Sequence, residues 1–273
     1  MTDRYAVIGH PIAHSKSPQI HTAFAQATGQ DLVYTAIEAP LDGFAATVAA
    51  FRAAGGRGLN VTLPFKLQAF ELASEPSEAA RLAGAANALK FEADRMLAEN
   101  FDGIGLVTDL QHNLGRALRG RRVLLLGAGG ATRGALLPIA QQGPALLAVA
   151  NRTADKAHAL RADFAAHAEL HSGGYADFAG ESFDVIVNAT SAGLTGEALP
   201  LPGGLFAPGA LAYDMVYGKG LTPFLRQARG AGVTALADGV GMLVEQAAEA
   251  FLWWRGVRPD TQGPISRLSV PLN

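Results

Sequence analysis

The sequence of 273 residues contains no cysteine, which excludes disulfide bonds, a cysteine nucleophile and thiolate ligands for a metal. Long apolar runs are also missing. The N-terminal segment reaches only Ile8 before Gly9 and Pro11 interrupt it, so it is too short for the hydrophobic region of a signal peptide. The most apolar run elsewhere, residues 123–126, has the length of a strand and cannot span a membrane. These absences predict a cytoplasmic protein.

Neither sign of charge dominates the chain, which has 22 basic and 24 acidic residues and a formal net charge of −2. A nearly neutral chain has no overall attraction for nucleic acid or for an anionic membrane, so neither is expected as a partner. The seven histidines show no spacing typical of metal ligands, and no metal is expected. The expected partner is therefore a small molecule.

Strand-length apolar segments alternate with helical segments along the whole chain, which predicts an α/β fold. Segments 86–91 and 96–100 flank a polar turn and predict a hairpin, hence a mixed sheet in the N-terminal part. From residue 121 onwards the predicted strands are continuously apolar, which is typical of a parallel sheet buried on both faces. These strands cover 121–126, 146–150, 183–189, 211–215 and 233–237.

Helix boundaries are predicted from capping and breaking residues. Ser17 followed by Pro18 predicts an N-cap with proline at the first helical position. A helix of about four turns is expected between Gly103 and Gly120. The boundary between two domains is expected inside it, near residues 103–118. A helix over 239–254 is expected to be the last of the chain.

A glycine-rich loop, Gly127-Ala128-Gly129-Gly130-Ala131, follows a predicted strand and opens a helix. Glycines permit a tight turn and the close approach of a pyrophosphate, and the helix N-terminus offers N–H groups to the anion. A tight turn without a ligand would use the same residues. The ordered succession of strand, glycines, helix and second strand nevertheless favours dinucleotide binding. Thr132 replaces the last glycine of the usual G-x-G-x-x-G pattern.

The end of the second strand discriminates between the two nicotinamide dinucleotides. An NAD site places an acidic residue there for the ribose 2′-hydroxyl. This chain has Asn151-Arg152-Thr153 instead, with Lys156 one turn into the next helix. Because a guanidinium suits a phosphate, the pattern predicts NADP, whose 2′-phosphate Arg152 would bind.

Polar residues also follow the next strands. Thr190 and Ser191 follow the segment 183–189, at the edge where ligands bind in a doubly wound sheet. They could contact the cofactor, and Ser191 could equally be a turn residue. Met215 lies at another strand end, where a methionine taken alone is more often part of the core.

The N-terminal part carries polar groups that a purely structural strand or helix would not need. Asn60 and Thr62 alternate along one strand and point to one face. Asn87 lies in apolar surroundings, where an unpaired amide is costly. Each such residue has a structural explanation by itself, for example a helix cap for Asp102. Together with Lys66 they offer hydroxyls, amides, an ammonium and a carboxylate to a small polyhydroxylated anion.

These segments resemble the shikimate dehydrogenase family over essentially the whole chain. The opening signature comprises Val7 to Pro11, His14 to Pro18 and His21; the catalytic-lysine segment runs from Asn60 to Lys66, and the catalytic-aspartate segment from Asn100 to Gly103. The pattern continues in order with 127–131, 151–153, 188–191, 214–217 and 238–239. Ala88 departs from the threonine usual in the family, which affects only local hydrogen bonding.

The resemblance implies an N-terminal mixed-sheet α/β substrate domain and a C-terminal Rossmann-type NADP-binding domain. Residues 1–104, with 240–273 packing back, would form the substrate-binding catalytic domain, and 105–239 the NADP-binding domain. Lys66 and Asp102 would be catalytic. The implied substrate ligands are Ser15, Ser17, Asn60, Thr62, Asn87, Tyr217 and Gln246. The expected cofactor-binding residues are Glu78, Gly127, Ala128, Gly129, Gly130, Ala131, Asn151, Arg152, Thr153, Lys156, Thr190, Ser191, Met215 and Gly239.

The activity implied is the reversible NADPH-dependent reduction of 3-dehydroshikimate to shikimate, a step of chorismate and aromatic amino acid biosynthesis. Family members often dimerise, so a homodimer is an expectation. One alternative is a quinate/shikimate dehydrogenase that uses NAD, against which Arg152 argues. Another is a catalytically silent NADP-binding regulator, against which the presence of Lys66, Asp102, Asn87 and Thr62 together argues.

Overall fold

The computed structural model describes residues 2–190, 192 and 197–272. Its contacts divide the chain into two compact units. The first unit contains Met1–Gly105 and Val244–Ser266, and the second contains Leu106–Leu243 and Arg267–Asn273. The chain therefore leaves the first unit at residue 105, returns to it at residue 244, and adds its last seven residues to the second unit.

Strands and helices alternate in chain order. The strands are β1 Asp3–Gly9, β2 Leu32–Glu38, β3 Gly56–Val61, β4 Glu75–Pro76, β5 Ala88–Glu92, β6 Arg95–Glu99, β7 Arg122–Leu126, β8 Leu146–Ala150, β9 His171–Gly173, β10 Phe183–Asn188, β11 Phe206–Asp214 and β12 Ala235–Asp238. The helices are α1 Ser17–Thr28, α2 Phe44–Ala53, α3 Lys66–Leu72, α4 Glu78–Ala83, α5 Asp102–Thr108, α6 Gly130–Ala140, α7 Ala154–Phe164, α8 Pro223–Gly230, α9 Val240–Arg255 and α10 Gln262–Leu268. Within 2–190 and 197–272, none of the helices has the length and apolar character that a bilayer span requires.

The first unit is built on a six-stranded mixed sheet in the order β2-β1-β3-β5-β6-β4. Strand β1 pairs in parallel with β2 and β3, and β5 pairs antiparallel with β3 and β6. The predicted hairpin and mixed sheet are thereby confirmed. Apolar residues of β1, β3 and β5 pack with those of α2 and α3 in a core around Ile8, Phe44, Leu59, Phe65 and Leu89.

The second unit contains a six-stranded parallel sheet in the order β12-β11-β10-β7-β8-β9. Read from its other edge, this is the 3-2-1-4-5-6 order of the dinucleotide-binding Rossmann fold. Four consecutive residues of β7, residues 123–126, are completely buried, as a strand covered on both faces requires. The predicted α/β fold with a Rossmann-type second half is confirmed.

Several helix boundaries differ from those predicted. Helix α1 begins at Ser17 itself, and Lys16 occupies the N-cap without a side-chain hydrogen bond. Ser15 performs the capping function from two residues upstream, because its Oγ accepts a 3.3 Å hydrogen bond from the Ser17 backbone N–H. The expected four-turn helix is shorter: α5 passes into a π-helical turn at 109–113 and ends before Gly115, whose φ of +64° is left-handed.

Other elements were not predicted. Strands β4 and β9 contain two and three residues, too few for any hydrophobic periodicity to show. Helix α4 is also short, with six residues that are capped by Ser77 through a 3.1 Å hydrogen bond to the Ala80 N–H. Helix α9 is followed by α10, so the expectation that α9 ends the chain's regular structure was wrong.

Candidate active site

A lysine and an aspartate meet at the start of two helices of the first unit. Lys66 is the first residue of α3 and Asp102 the first of α5. The Lys66 Nζ lies 2.6 Å from Asp102 Oδ2, and the side chains are 28% and 15% exposed. The pair is thus shielded from bulk water yet remains accessible, so a small molecule can reach the ammonium.

Asn87 organises this pair from the turn that precedes β5. Its side chain is buried, and its Nδ2 donates to Asp102 Oδ1 at 2.8 Å and to Gln246 Oε1 at 3.2 Å. Its Oδ1 accepts from the Phe101 backbone N–H at 2.9 Å. Both carboxylate oxygens of Asp102 are therefore engaged, one by Lys66 and one by Asn87, which fixes the orientation of the carboxylate.

A second buried amide extends the network toward α1. Asn60, near the end of β3, points its Nδ2 at the Asn87 carbonyl oxygen at 3.4 Å and accepts a 2.6 Å hydrogen bond at Oδ1 from the Tyr34 hydroxyl. Burial raises the pKa of Tyr34 well above its usual value, and a side-chain hydrogen bond with Ser17 opposes the shift. The predicted residues Ser17, Asn60, Asn87, Gln246, Lys66 and Asp102 thus belong to one polar network.

The other predicted substrate ligands lie at its borders or in the second unit. Ser15 contacts the network through the Ser17 backbone N–H. Thr62 follows β3, is half-buried, and donates its backbone N–H to the Ile8 carbonyl at 3.0 Å. Tyr217 belongs to the second unit and is 40% exposed.

Two aromatic residues support this network: Tyr34, which no sequence pattern indicated, and His21, which belongs to the opening signature but had no predicted role. Tyr34 and the buried His21 stack face to face, with ring centroids 4.2 Å apart and planes 3° from parallel. Neither ring nitrogen of His21 has a hydrogen-bond partner among the described residues. Burial lowers the pKa of His21 to about 3, an effect that the neighbouring Asn60 side chain opposes. The imidazole is therefore neutral near pH 7.

The glycine loop joins β7 to α6 in the second unit. Gly127 has a φ of +104°, a conformation that glycine alone adopts readily. At Gly129 and Gly130, by contrast, an added Cβ would meet no described atom within 4 Å, so packing does not explain these glycines. Open space in front of a helix N-terminus suits a pyrophosphate. The unusual Thr132 is buried and donates from Oγ1 to the Gly127 carbonyl at 2.7 Å, which ties the helix to the loop.

The end of β8 carries the residues expected to select the dinucleotide. Asn151 Oδ1 accepts a 3.2 Å hydrogen bond from the Ala128 N–H and so connects the strand end to the glycine loop. Arg152 and Thr153 are exposed, as is Lys156 in the first turn of α7. Two exposed cationic residues therefore follow β8, and the first acidic residue beyond the strand is Asp155, on α7.

Thr190 is held at the end of β10 by a buried polar cluster. Its N–H and its hydroxyl both donate to Asn188 Oδ1, at 3.1 Å and 2.7 Å. Asn188 in turn donates to Asp214 at 3.1 Å, and burial raises the pKa of Asp214 despite its hydrogen bond from Thr222. The predicted cofactor residue Ser191 lies outside the described residues.

Three further residues were expected near the cofactor. Met215 follows β11 and is half-buried. Gly239 is required by packing, because a Cβ there would lie 2.3 Å from the Met215 carbonyl oxygen. Glu78 belongs to the first unit, where it is exposed on the first turn of α4 and complements the helix dipole. Its role toward a cofactor stays a prediction.

The Rossmann strand order, the open glycine loop and the paired cations after β8, combined with a lysine–carboxylate pair, define a dinucleotide-dependent oxidoreductase. The chain belongs to the shikimate dehydrogenase family. It matches the shikimate dehydrogenase substrate binding domain over residues 7–89, shikimate/quinate 5-dehydrogenase over 109–195, and the shikimate 5′-dehydrogenase C-terminal domain over 239–263.

Related proteins match the chain along nearly its whole length. The shikimate dehydrogenase (NADP(+)) of Nitrosospira multiformis is 57% identical over 100% of this chain and 99% of that protein. The crystal structure of an Ael1 enzyme from Pseudomonas putida is 61% identical, with a TM-score of 0.95 and 100% of both chains covered. The Thermus thermophilus shikimate 5-dehydrogenase, solved with NADP(H) and shikimate, is 34% identical, with a TM-score of 0.86 and 97% and 98% of the chains covered.

Proposed function

We propose that the chain catalyses the reversible NADPH-dependent reduction of 3-dehydroshikimate to shikimate. The observation that carries the proposal is the 2.6 Å contact between Lys66 and Asp102, since these residues stand on the family's two catalytic segments. Family membership and the names of the relatives support the substrate and the cofactor. The proposal also assigns catalysis and every substrate ligand except Tyr217 to the first unit, and NADP binding to the second.

Bound NADPH would supply a hydride to the carbonyl carbon of the substrate. As that bond forms, the electron pair of the C=O bond moves to oxygen, and Lys66 Nζ donates a proton to it. Asp102 keeps the ammonium in place through its 2.6 Å hydrogen bond and can accept a hydrogen bond from a neighbouring hydroxyl. Ser15, Ser17, Asn60, Thr62, Asn87, Tyr217 and Gln246 would hold the carboxylate and the other hydroxyls of the substrate.

The glycine loop and the end of β8 would hold the dinucleotide. The space in front of Gly129 and Gly130 fits the pyrophosphate, and Arg152 with Lys156 fits the 2′-phosphate. Thr190, Ser191, Met215 and Gly239 would line the remaining cofactor site. A cytoplasmic location and a homodimeric state belong to the same proposal; the location is supported by the sequence features, and the homodimer by the resemblance to the family.

The test is oxidation of shikimate or quinate by the purified protein, followed by absorbance at the reduced-nicotinamide band with NADP and with NAD in parallel. Fast turnover with shikimate and NADP is the expected result. A preference for quinate with NAD would favour the alternative, a quinate/shikimate dehydrogenase that uses NAD. The matched family model, shikimate/quinate 5-dehydrogenase, includes both substrates in its name. NADP binding without turnover of either substrate would identify a regulator and overturn the proposal.

A further inference from the structure

Tyr34 is a buried residue that hydrogen-bonds directly to a predicted substrate ligand, Asn60, without being a predicted ligand itself. It lies in the middle of β2, is 7% exposed, and its hydroxyl donates to Asn60 Oδ1 at 2.6 Å. Because burial raises the pKa of Tyr34, the phenol keeps its proton and acts as a donor. His21 stacks on the ring; burial lowers the pKa of its imidazole, and the side chain that opposes this shift is Asn60 rather than the phenol.

The Tyr34 hydroxyl and the Asn87 carbonyl oxygen together determine which way the Asn60 amide faces. An asparagine side chain has a donor end and an acceptor end of nearly equal size, so without fixed partners it can rotate and exchange them. In Asn60 the acceptor end faces the phenolic O–H and the donor end faces the Asn87 carbonyl oxygen. A rotated Asn60 amide would place its oxygen against the Asn87 carbonyl oxygen. Both atoms are acceptors, so they would repel each other instead of forming a hydrogen bond. Both partners therefore favour the same orientation.

This orientation has a consequence for recognition. The Asn60 oxygen is occupied by Tyr34, whereas Nδ2 carries two N–H groups, of which the Asn87 carbonyl takes one. The group left for a ligand is the second N–H, a donor. We propose that Tyr34 is a positioning residue that presents Asn60 to the substrate as a hydrogen-bond donor, so that the site selects an oxygen acceptor there. This inference rests on the proposed role of Asn60 as a substrate ligand.

Tyr34→Phe tests the inference because it removes one hydroxyl and retains the ring that stacks on His21. The KM for shikimate should rise about 3- to 10-fold, the effect of one neutral hydrogen bond, with kcat within about twofold of the wild type. Tyr5→Phe is the matched control. Tyr5 is a buried tyrosine of the same unit, 4% exposed, whose hydroxyl bonds Arg255 outside this network. Its KM should stay at the wild-type value.

Two measurements show whether Tyr34 acts through Asn60. In an Asn60→Ala background, Tyr34→Phe should cause no further rise in KM, because no amide remains to be oriented; an equal rise in both backgrounds would overturn the inference.

The second readout is independent of activity: the Asn60 side-chain N–H₂ gives one pair of NMR signals in the wild type and should show exchange broadening or a second pair in Tyr34→Phe. An unchanged single pair would overturn the orienting role. Failure of the proposed function would appear differently, as a wild-type protein that does not oxidise shikimate.

Discussion

Lys66 and Asp102 are 36 residues apart in the sequence, and the fold places Nζ of the lysine 2.6 Å from Oδ2 of the aspartate. Each residue begins a helix that follows a strand of the same mixed sheet. Asn87, on the turn before the neighbouring β5, holds the second carboxylate oxygen at 2.8 Å. The pair is therefore positioned by backbone elements rather than by flexible loops, as a proton donor for a carbonyl oxygen requires.

Lys66→Ala should lower kcat by roughly 10²–10⁴-fold, because the oxyanion that forms on the substrate loses its proton donor. Asp102→Asn should also lower kcat, since the ammonium loses its charged partner. The double variant should be little slower than the slower single variant, because groups that act as a unit are not additive. Steady-state kinetics of the four proteins with shikimate and NADP measure this cycle.

The control for that cycle is Lys90→Ala, which removes a lysine of the same unit that is paired with Glu92 at 3.5 Å. Its kcat should equal that of the wild type. Shikimate should still bind to Lys66→Ala in calorimetry, as the carboxylate and the remaining hydroxyls are bound by other residues. A near-normal kcat for Lys66→Ala, or effects that simply multiply, would show that the pair is not a catalytic unit.

Arg152→Ala should raise the KM for NADP about 10- to 100-fold and leave the KM for NAD almost unchanged, because only the 2′-phosphate loses a charge-assisted hydrogen bond. Arg161→Ala is a suitable control, since it removes the same charge from an exposed position of α7. Kinetics with both cofactors and fixed shikimate measure the effect. An equal loss with NADP and NAD would instead assign Arg152 a structural role.

Asn87→Ala should reduce both substrate affinity and stability. The buried side chain satisfies Asp102, Gln246 and the Phe101 N–H. Because Asp102 and Phe101 are half-buried and water can replace part of what they lose, the free energy of unfolding should fall by about 1–3 kcal/mol in total. Thr62→Val keeps the shape of the half-buried Thr62 and should raise the KM with a much smaller change in stability. Urea unfolding and the shikimate KM separate the two; an unchanged midpoint for Asn87→Ala would contradict the observed network.

The sequence predicted those parts of the structure whose signals are local. The glycine loop, the arginine after β8 and the continuously apolar strands each carry a pattern within a few residues, and the Rossmann half was confirmed from them. The need for glycine at position 239 could not be predicted in this way. It arises from the close approach of the Met215 carbonyl oxygen, which no local sequence pattern indicates. Strands of two or three residues such as β4 and β9 carry no periodicity to detect.

The site residues that the sequence did not predict are those whose roles depend on tertiary contacts. Nothing in the β2 sequence LVYTAIE distinguishes Tyr34 from an ordinary strand tyrosine, and its role becomes visible only when β3 brings Asn60 to its hydroxyl. Ser17 was expected to cap α1, whereas Ser15 supplies the hydrogen bond at that terminus and leaves the Ser17 side chain to Tyr34. The contact between Lys66 and Asp102 could not be predicted from their separation of 36 residues. The two residues were predicted as a catalytic pair because the motifs around them resemble those of a family.

His21 predicts a specific pH dependence of stability. Burial lowers its pKa from 6.5 to about 3 in the folded protein, so between these values the unfolded chain binds a proton that the folded chain does not. Stability is therefore fully present above about pH 6.5 and is lost as the pH falls toward 3. One such group contributes at most about 1.4 kcal/mol per pH unit, or about 2 kcal/mol between pH 7 and pH 5.

His21→Phe should remove this component while keeping an aromatic ring against Tyr34 and Phe24. Urea unfolding at pH 7 and pH 5 should show a loss of stability on acidification that is about 2 kcal/mol smaller in the variant than in the wild type. Other titrating groups are common to both proteins and cancel in this difference. Phe24→Leu serves as the control, because it disturbs the same core without removing a histidine; it should lower stability at both pH values and retain the wild-type loss between them. If His21→Phe also retained that loss, His21 would not be the group that couples proton binding to unfolding.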